Sequence, residues 1–231
     1  MSSNTQHTAI LLFARTAEAE ARHKRVCAGQ SASTNYQVLK HLEHHAEAVA
    51  TQSGLPVFRV SELEQYGNNF GARLHNAFEA VFEQGYTNVL AIGSDCAQLS
   101  ATNLAHAASQ LQQHQTVLGP ARDGGVYLLG LSKAQFYRSN FAEVSWCTQN
   151  VFEQLKAFDA KAVVLATLSD IDRTADLVRV LLSNTLPETL LRSLRALLPV
   201  NPAHYTVVQE APVRNTTFLA AQSRRGPPMS A

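Results

Sequence analysis

The stretch VLAIGSDCAQLS, residues 89–100, decides how the chain is read. Val89 to Ile92 are aliphatic, and then Gly93, Ser94 and Asp95 break the run at once. A short apolar run that stops at turn residues fits a strand covered on both faces. A carboxylate at its carboxyl end lies where open α/β sheets receive ligands. Asp95 therefore has two readings: an oxygen ligand for a hard divalent cation, or a cap for the turn that follows.

Working outward, the same alternation recurs on both sides. TAILLFA (8–14), PVFRV (56–60), TVLGP (116–120), VYLLGL (126–131) and KAVVLAT (161–167) read as further strands. Between them lie helical stretches. RTAEAEARHKR (15–25) is rich in helix formers, and TNYQVLKHLEHHAEAVATQ (34–52) opens on Thr34 or Asn35 as its cap. In 68–85, Phe70, Leu74, Ala77, Phe78, Val81 and Phe82 mark one face of a helix that Asn residues precede and Gly85 ends. Ser100 caps a helix over 100–114, another is centred on 148–158, and a last one starts near Ala175. Strands interleaved with helices give an α/β fold whose central sheet is mostly parallel and covered on both faces.

Length and composition bound the function. The 231 residues are 45% hydrophobic and 16% charged, enough for one large domain with a substantial core. A formal net charge of +1 lacks the basic bias of a nucleic-acid binder. No apolar run approaches the roughly 20 residues of a membrane span, and the first residues lack a secretory pattern. Cys27, Cys96 and Cys147 form neither a disulfide framework nor a zinc motif. The expectation is a soluble cytoplasmic protein.

The unusual polar residues collect at the carboxyl ends of the strands. Arg15 follows the first, Asp95 the one ending at Gly93, Asp123 with Gly124 and Gly125 the one ending near Gly119, and Asp170 with Asp172 the last. Carboxylates converging from separate loops suit Mg2+ or Mn2+, which take oxygen ligands and share phosphates with a substrate. Asp170 and Asp172 also fit a turn and N-cap, and the glycine pair fits a tight hairpin. Arg15, Arg22, Lys24 and Arg25 lie where a phosphate-bearing ligand would sit, although Glu18 and Glu20 make a solvated helix of mixed charge the commoner reading. Arg73, one turn into the helix after QYGNNFGARL, either reaches the ligand or extends into solvent. His41 and His45 lack the His-Glu-x-x-His arrangement and read as a solvated face, and Cys96 and Cys147 as small hydrophobes.

Taken in order, FARTAEAEARHKR, NFGARLHNAFEAVFEQGY, VLAIGSDCAQLS, VLGPARDGGVYLLGL, VSWCTQNVFEQL and DIDRTADL resemble the bacterial glycosyltransferase-A-like proteins of the DUF2064 family, relatives of nucleotide-diphospho-sugar transferases. The resemblance spans about residues 8 to 182. It implies a GT-A-type nucleotide-binding three-layer sandwich. Gly93-Ser94-Asp95-Cys96 matches the family's Gly-Ser-Asp-Cys motif and makes Asp95 the expected metal and diphosphate residue, with Ser94 beside the substrate. Gly119-Pro120 with Asp123-Gly124-Gly125 matches a motif expected to line the sugar or acceptor pocket, with Asp123 as the candidate base. Asp170 and Asp172 match a late Asp-x-Asp-Thr motif, one of them expected to complete the metal site with Asp95, although Arg173 precedes Thr174 here. The chain departs from the family in its first loop, which has no glycine or proline between Arg15 and Val26, and in Ala97-Gln98, where Pro-Asp is usual.

The resemblance implies transfer of a sugar from a nucleotide-diphosphate sugar, dependent on Mg2+ or Mn2+, with Arg15, Lys24, Arg25 and Arg73 toward the phosphates. Nucleotidyl transfer to a phosphorylated acceptor, and a binding domain without catalysis, are the alternatives. Residues 1–184 form the expected GT-A-like domain, and 185–231 a C-terminal helix and extended tail. Leu186, Leu190, Leu194 and Leu197 recur at helical spacing there, for docking on the domain or for a homodimer contact.

Overall fold

The structure is a computed structural model and describes residues 7–183 and 185–198. The first half of the chain folds as β1 (Thr8–Phe13), α1 (Ala17–His23), α2 (Ala32–Gln52), β2 (Val57–Val60), α3 (Phe70–Glu83), β3 (Asn88–Ile92) and α4 (Ala101–Leu111). Then come β4 (Thr116–Pro120), β5 (Val126–Ser132), α5 (Lys133–Arg138), a 3-10 turn at Phe141–Glu143, α6 (Val151–Ala157), β6 (Val163–Val164), α7 (Thr174–Leu182) and α8 (Glu188–Leu197).

The strands form one six-stranded sheet in the order β2-β1-β3-β5-β4-β6. β1 pairs in parallel with β2 and β3, and β4 with β6, while β5 runs antiparallel to β3 and β4. Side chains alternate faces along a strand, and β1 shows the consequence. Ala9, Leu11 and Phe13 enter a core with α3, the 3-10 turn and α6, whereas Ile10, Leu12 and Ala14 enter another with α2 and α4. The result is the expected three-layer α/β sandwich with a mostly parallel sheet. Full burial of each large side chain, such as Phe78 or Leu90, contributes about 1.5–3 kcal/mol.

The helix starts follow local chemistry. Asn69 accepts the Ala72 N–H at 2.8 Å to open α3, and Ser100 and Asn103 form a reciprocal cap on α4. The cap of α2 is Ser31, three and four residues before the expected Thr34 and Asn35. Ser31 accepts the Thr34 N–H at 3.0 Å, while Asn35 is buried, taking the Val26 N–H at 2.8 Å and donating to the Lys24 carbonyl at 2.9 Å. The sixth strand is shorter than its apolar run: only Val163 and Val164 keep a regular register with β4, although the Leu165 and Leu168 N–H groups still donate to the Leu118 and Pro120 carbonyls at 2.8 and 3.1 Å. Lys133–Arg138, not read as a separate element from the sequence, is a helix whose Phe136 packs with Phe78, Phe82 and Phe141.

A third cluster joins α1, α2, α7 and α8 through Val26, Leu39, Leu42, Ile171, Val180, Leu190 and Leu194. The leucine face of α8 is thus buried within the chain, with Leu198 inside and Leu197 only partly covered. The weakly structured tail expected over 200–231 lies outside the described residues. Among the described residues, no helix is long and apolar enough to cross a membrane.

Candidate functional site

Strand order fixes where a ligand can enter. From β1 the chain crosses to β2 on one side, while β3 lies on the other, so the sheet has a switch point between β1 and β3. Loops leaving the carboxyl ends of such neighbours diverge and open a crevice. A cleft of about 340 Å³ occupies this place, with Arg15, Lys24, Arg73, Ser94, Asp95 and Asp172 in its walls.

Hydrogen bonds in the main chain draw the loops together. The Ile171 N–H donates to the Asp95 carbonyl at 3.0 Å, which joins the loop before α7 to the loop after β3. Between the two loops reaches Lys24, whose side chain is only 11% exposed. Its Nζ lies 2.6 Å from Asp172 Oδ1, 3.4 Å from Asp95 Oδ2 and 4.0 Å from Glu20 Oε1. Burial opposes the ammonium charge, yet Asp95, Asp172 and Glu20 more than offset it, and the Lys24 pKa stands above the usual lysine value.

Asp170 has the opposite character. Its Oδ1 is buried and has no hydrogen-bond partner. Burial first, then the charges of Asp95, Asp123 and Asp172, push its carboxyl up to about 9, with Lys24 opposing. Asp170 and Asp172 do not cap α7. Arg173 takes that position, and its N–H donates to Asp176 Oδ2 at 3.0 Å.

Asp95, Asp170 and Asp172 are hard oxygen donors, and a buried, unpartnered carboxyl oxygen among carboxylates is the feature that a divalent cation relieves. In chemistry the set fits Mg2+ or Mn2+. Among the described residues, however, no three His, Cys, Asp or Glu side chains already converge at metal-ligand geometry. The Lys24 ammonium stands between Asp95 and Asp172 instead.

The segment after β1 forms the short helix α1, and its leading donors are taken by the protein itself. Glu62 accepts the Thr16 N–H at 2.7 Å and its hydroxyl at 2.9 Å, and Glu43 accepts the Ala17 N–H at 3.1 Å. Arg15 pairs with Glu20 at 3.1 Å, and Arg22 with Glu18 at 2.6 Å on the exposed side. Arg25 lies outside the cleft wall and donates to the Gln30 carbonyl at 2.9 Å. Arg73 differs from these basic groups. It lines the cleft, and its Nε is buried without a hydrogen-bond partner. Its helix is wedged in place, since any side chain at Gly71 would run into the Ala142 carbonyl and the Trp146 ring.

Asp123 stands at the tip of the β4–β5 hairpin, where its Oδ1 accepts the Gly125 N–H at 2.8 Å. Gly124 has φ +92°, and the space a Cβ would need is filled by the Gln149 carbonyl. The glycine pair thus serves a tight hairpin packed under the loop before α6. Its tip is close enough for Asp123 to act on the charge of Asp170.

Sequence reasoning missed several cleft residues. Glu20, Glu43, Gln65 and Phe70 line it, as does Cys147. Cys96 is buried as expected of a small hydrophobe, but Cys147 is exposed and held at φ +63°. His45 is half-buried rather than solvated, its Nε2 3.1 Å from the Leu99 carbonyl.

Among solved structures, a candidate nucleotide-diphospho-sugar transferase from Desulfovibrio desulfuricans G20 is similar over 83% of this chain and 96% of its own, at 21% identity and a TM-score of 0.68. More distant likenesses include Rv0371c of Mycobacterium tuberculosis H37Rv in complex with manganese (17% identity, 77% and 99% of the two chains, TM-score 0.42). Another is the 4-diphosphocytidyl-2C-methyl-D-erythritol synthase of Anaerococcus prevotii DSM 20548 (11% identity, 76% and 96%, TM-score 0.48). Among curated proteins nothing matches the chain. Residues 24–148, just over half of the sequence, match the DUF2064 family of uncharacterised proteins conserved in bacteria. With the motifs around Asp95 and Asp123 inside that span and the GT-A-like sandwich around them, the chain belongs to the DUF2064 family.

Proposed function

We propose that the chain is a transferase that takes a nucleotide-diphosphate sugar in the cleft between β1 and β3 and passes the sugar to an acceptor. The observation that carries this reading is the grouping of Lys24, Asp95 and Asp172 beside the unpartnered Asp170 oxygen at the switch point of the sheet. The fold shared with the Desulfovibrio protein agrees with it.

In this reading Arg73 receives a phosphate oxygen, since a guanidinium forms strong charge-assisted bonds with phosphate. Lys24 neutralises charge that builds on the departing diphosphate. Ser94, in the cleft wall, orients the diphosphate, and Asp123 at the hairpin tip orients a sugar or acceptor hydroxyl and takes its proton. Asp95, Asp170 and Asp172 would hold Mg2+ or Mn2+, which supplies Lewis-acid stabilisation of the leaving group. The glycines at 124 and 125 fix the hairpin that presents Asp123.

The same fold serves nucleotidyl transfer from a triphosphate. Here, however, the Thr16 and Ala17 amides at the start of α1 are already bonded to Glu62 and Glu43. Fewer backbone donors for a triphosphate favour the diphosphate-sugar reading.

Calorimetric titration with UDP, GDP, ADP and CDP, with and without Mn2+, tests the proposal. One nucleoside diphosphate is expected to bind better with Mn2+, and Asp95→Ala to abolish the metal dependence. Tighter binding of the matching triphosphate, with pyrophosphate release, would instead favour nucleotidyl transfer. No binding of any nucleotide by the folded chain would leave a binding domain without the donor reaction.

A further inference from the structure

The carboxylates best suited to a divalent cation already hold a cation of the protein's own. Lys24 Nζ contacts Asp172 Oδ1 at 2.6 Å and Asp95 Oδ2 at 3.4 Å. These two oxygens belong to two of the three aspartates that a metal ion would need. An ammonium and a divalent ion cannot share them at contact distance, because like charges that close repel each other. The lysine's main chain is fixed independently of its head group. Its carbonyl accepts from buried Asn35 at 2.9 Å, and the adjoining Val26 and Cys27 are buried in the α1/α2/α7/α8 cluster. The side chain can therefore swing while its anchor stays. Glu20, already 4.0 Å from Nζ and shared with Arg15, offers a second carboxylate on the same wall of the cleft.

The geometry points to Lys24 as the resident counter-ion of Asp95 and Asp172, which a divalent cation must displace in order to bind. This rests on the reading of Asp95, Asp170 and Asp172 as the cation's ligands. It adds that metal affinity is set by Lys24 as much as by the aspartates. It also assigns Lys24 a second place: once displaced toward Glu20 and the open cleft, its ammonium faces the phosphates of a ligand. Cation entry and the presentation of Lys24 to an anion are then one event, so a phosphate-bearing ligand and the divalent cation each favour the binding of the other.

Two measurements on the full chain test this. In the first, Mn2+ binding is followed by the loss of the free-ion electron paramagnetic resonance signal for wild type, Lys24→Met, Asp95→Asn and the double variant. Lys24→Met is expected to bind Mn2+ about tenfold tighter than wild type or better, and Asp95→Asn to weaken binding in either background. Unchanged or weaker Mn2+ binding in Lys24→Met, with Asp95→Asn still weakening it, would overturn the displacement and leave the metal site standing. Absence of Mn2+ binding in every protein, Lys24→Met included, would overturn both. The second measurement uses wild type alone, so that it survives a misfolded variant. Acetylation of Lys24 by acetic anhydride is read by mass spectrometry with and without saturating Mn2+. Mn2+ is expected to speed acetylation of Lys24 several-fold relative to the exposed Lys161. Equal or slower modification would overturn the proposal.

Discussion

A carboxyl oxygen without a partner is costly wherever water is excluded, and Asp170 bears that cost in the loop between β6 and α7. Its carboxyl titrates near 3.8 in an ordinary setting and at about 9 in this fold, raised by burial and by Asp95, Asp123 and Asp172. Between those values the folded chain keeps a proton that the unfolded chain has released, so this residue makes the metal-free protein less stable as pH rises through the window. Asp170→Asn removes the titration while preserving the shape. The variant is expected to be more stable than wild type without metal, by about 1–3 kcal/mol at pH 8, and by less at pH 5. Urea unfolding at the two pH values, with chelator present, measures this, and an equal difference at both would contradict it. Asp95 was legible in the sequence because a carboxylate ends an apolar strand. Its ion pair with Lys24 was not, because the two lie 71 positions apart and only the fold brings them together. Asn35 misled for a similar reason, since its buried bonds to Val26 and Lys24 are tertiary.

At the level of elements, α1 shows how contacts from other elements fix where a short helix starts. Seven residues of a helix are marginal alone. Glu62, from the loop after β2, binds both the N–H and the hydroxyl of Thr16, and Thr16 in turn accepts the Ala19 N–H at 3.2 Å. Glu43 reaches across from α2 to the next amide while pairing with Arg59. The helix therefore starts where it does because two carboxylates from other elements meet its positive end. Removing one of them by Glu62→Ala is expected to cost about 1 kcal/mol, mostly by fraying α1. Hydrogen exchange at Thr16 and Ala19 should accelerate, while amides of β1 and β3 stay protected. Unchanged exchange at α1 would show that Glu43 suffices. Periodicity predicted the α3 and α4 helices well, because Asn69 and Ser100 cap them locally. It gave no hint of the Glu62 and Glu43 caps, which come from other elements.

Across the whole molecule, the apolar cluster under α8 also supports the charged cleft. Leu190, Leu194 and Leu198 of the C-terminal stretch share that cluster with Val26, Ala97 and Ile171. Each of those three lies within two positions of a cleft residue: Val26 of Lys24, Ala97 of Asp95, and Ile171 between Asp170 and Asp172. The leucine repeat announced an apolar helix face but could not say what covers it. The fold answers that α2 and α7 do, and that the same contacts set the backbone from which the charged side chains project. Leu194, fully buried, is the test position. Leu194→Ala leaves a cavity and is expected to cost about 2–5 kcal/mol in urea unfolding. If the cluster positions the site, the variant also loses several-fold in Mn2+ or nucleoside diphosphate affinity at a temperature where it remains folded. A control truncation of similar cost on the far side of the sheet, Phe82→Ala, is expected to leave that affinity near wild type, because Phe82 packs in the α3 core away from the cleft loops. Equal loss of affinity in both variants would trace the effect to general destabilisation. A loss confined to Leu194→Ala would make the C-terminal helix part of the foundation of the site.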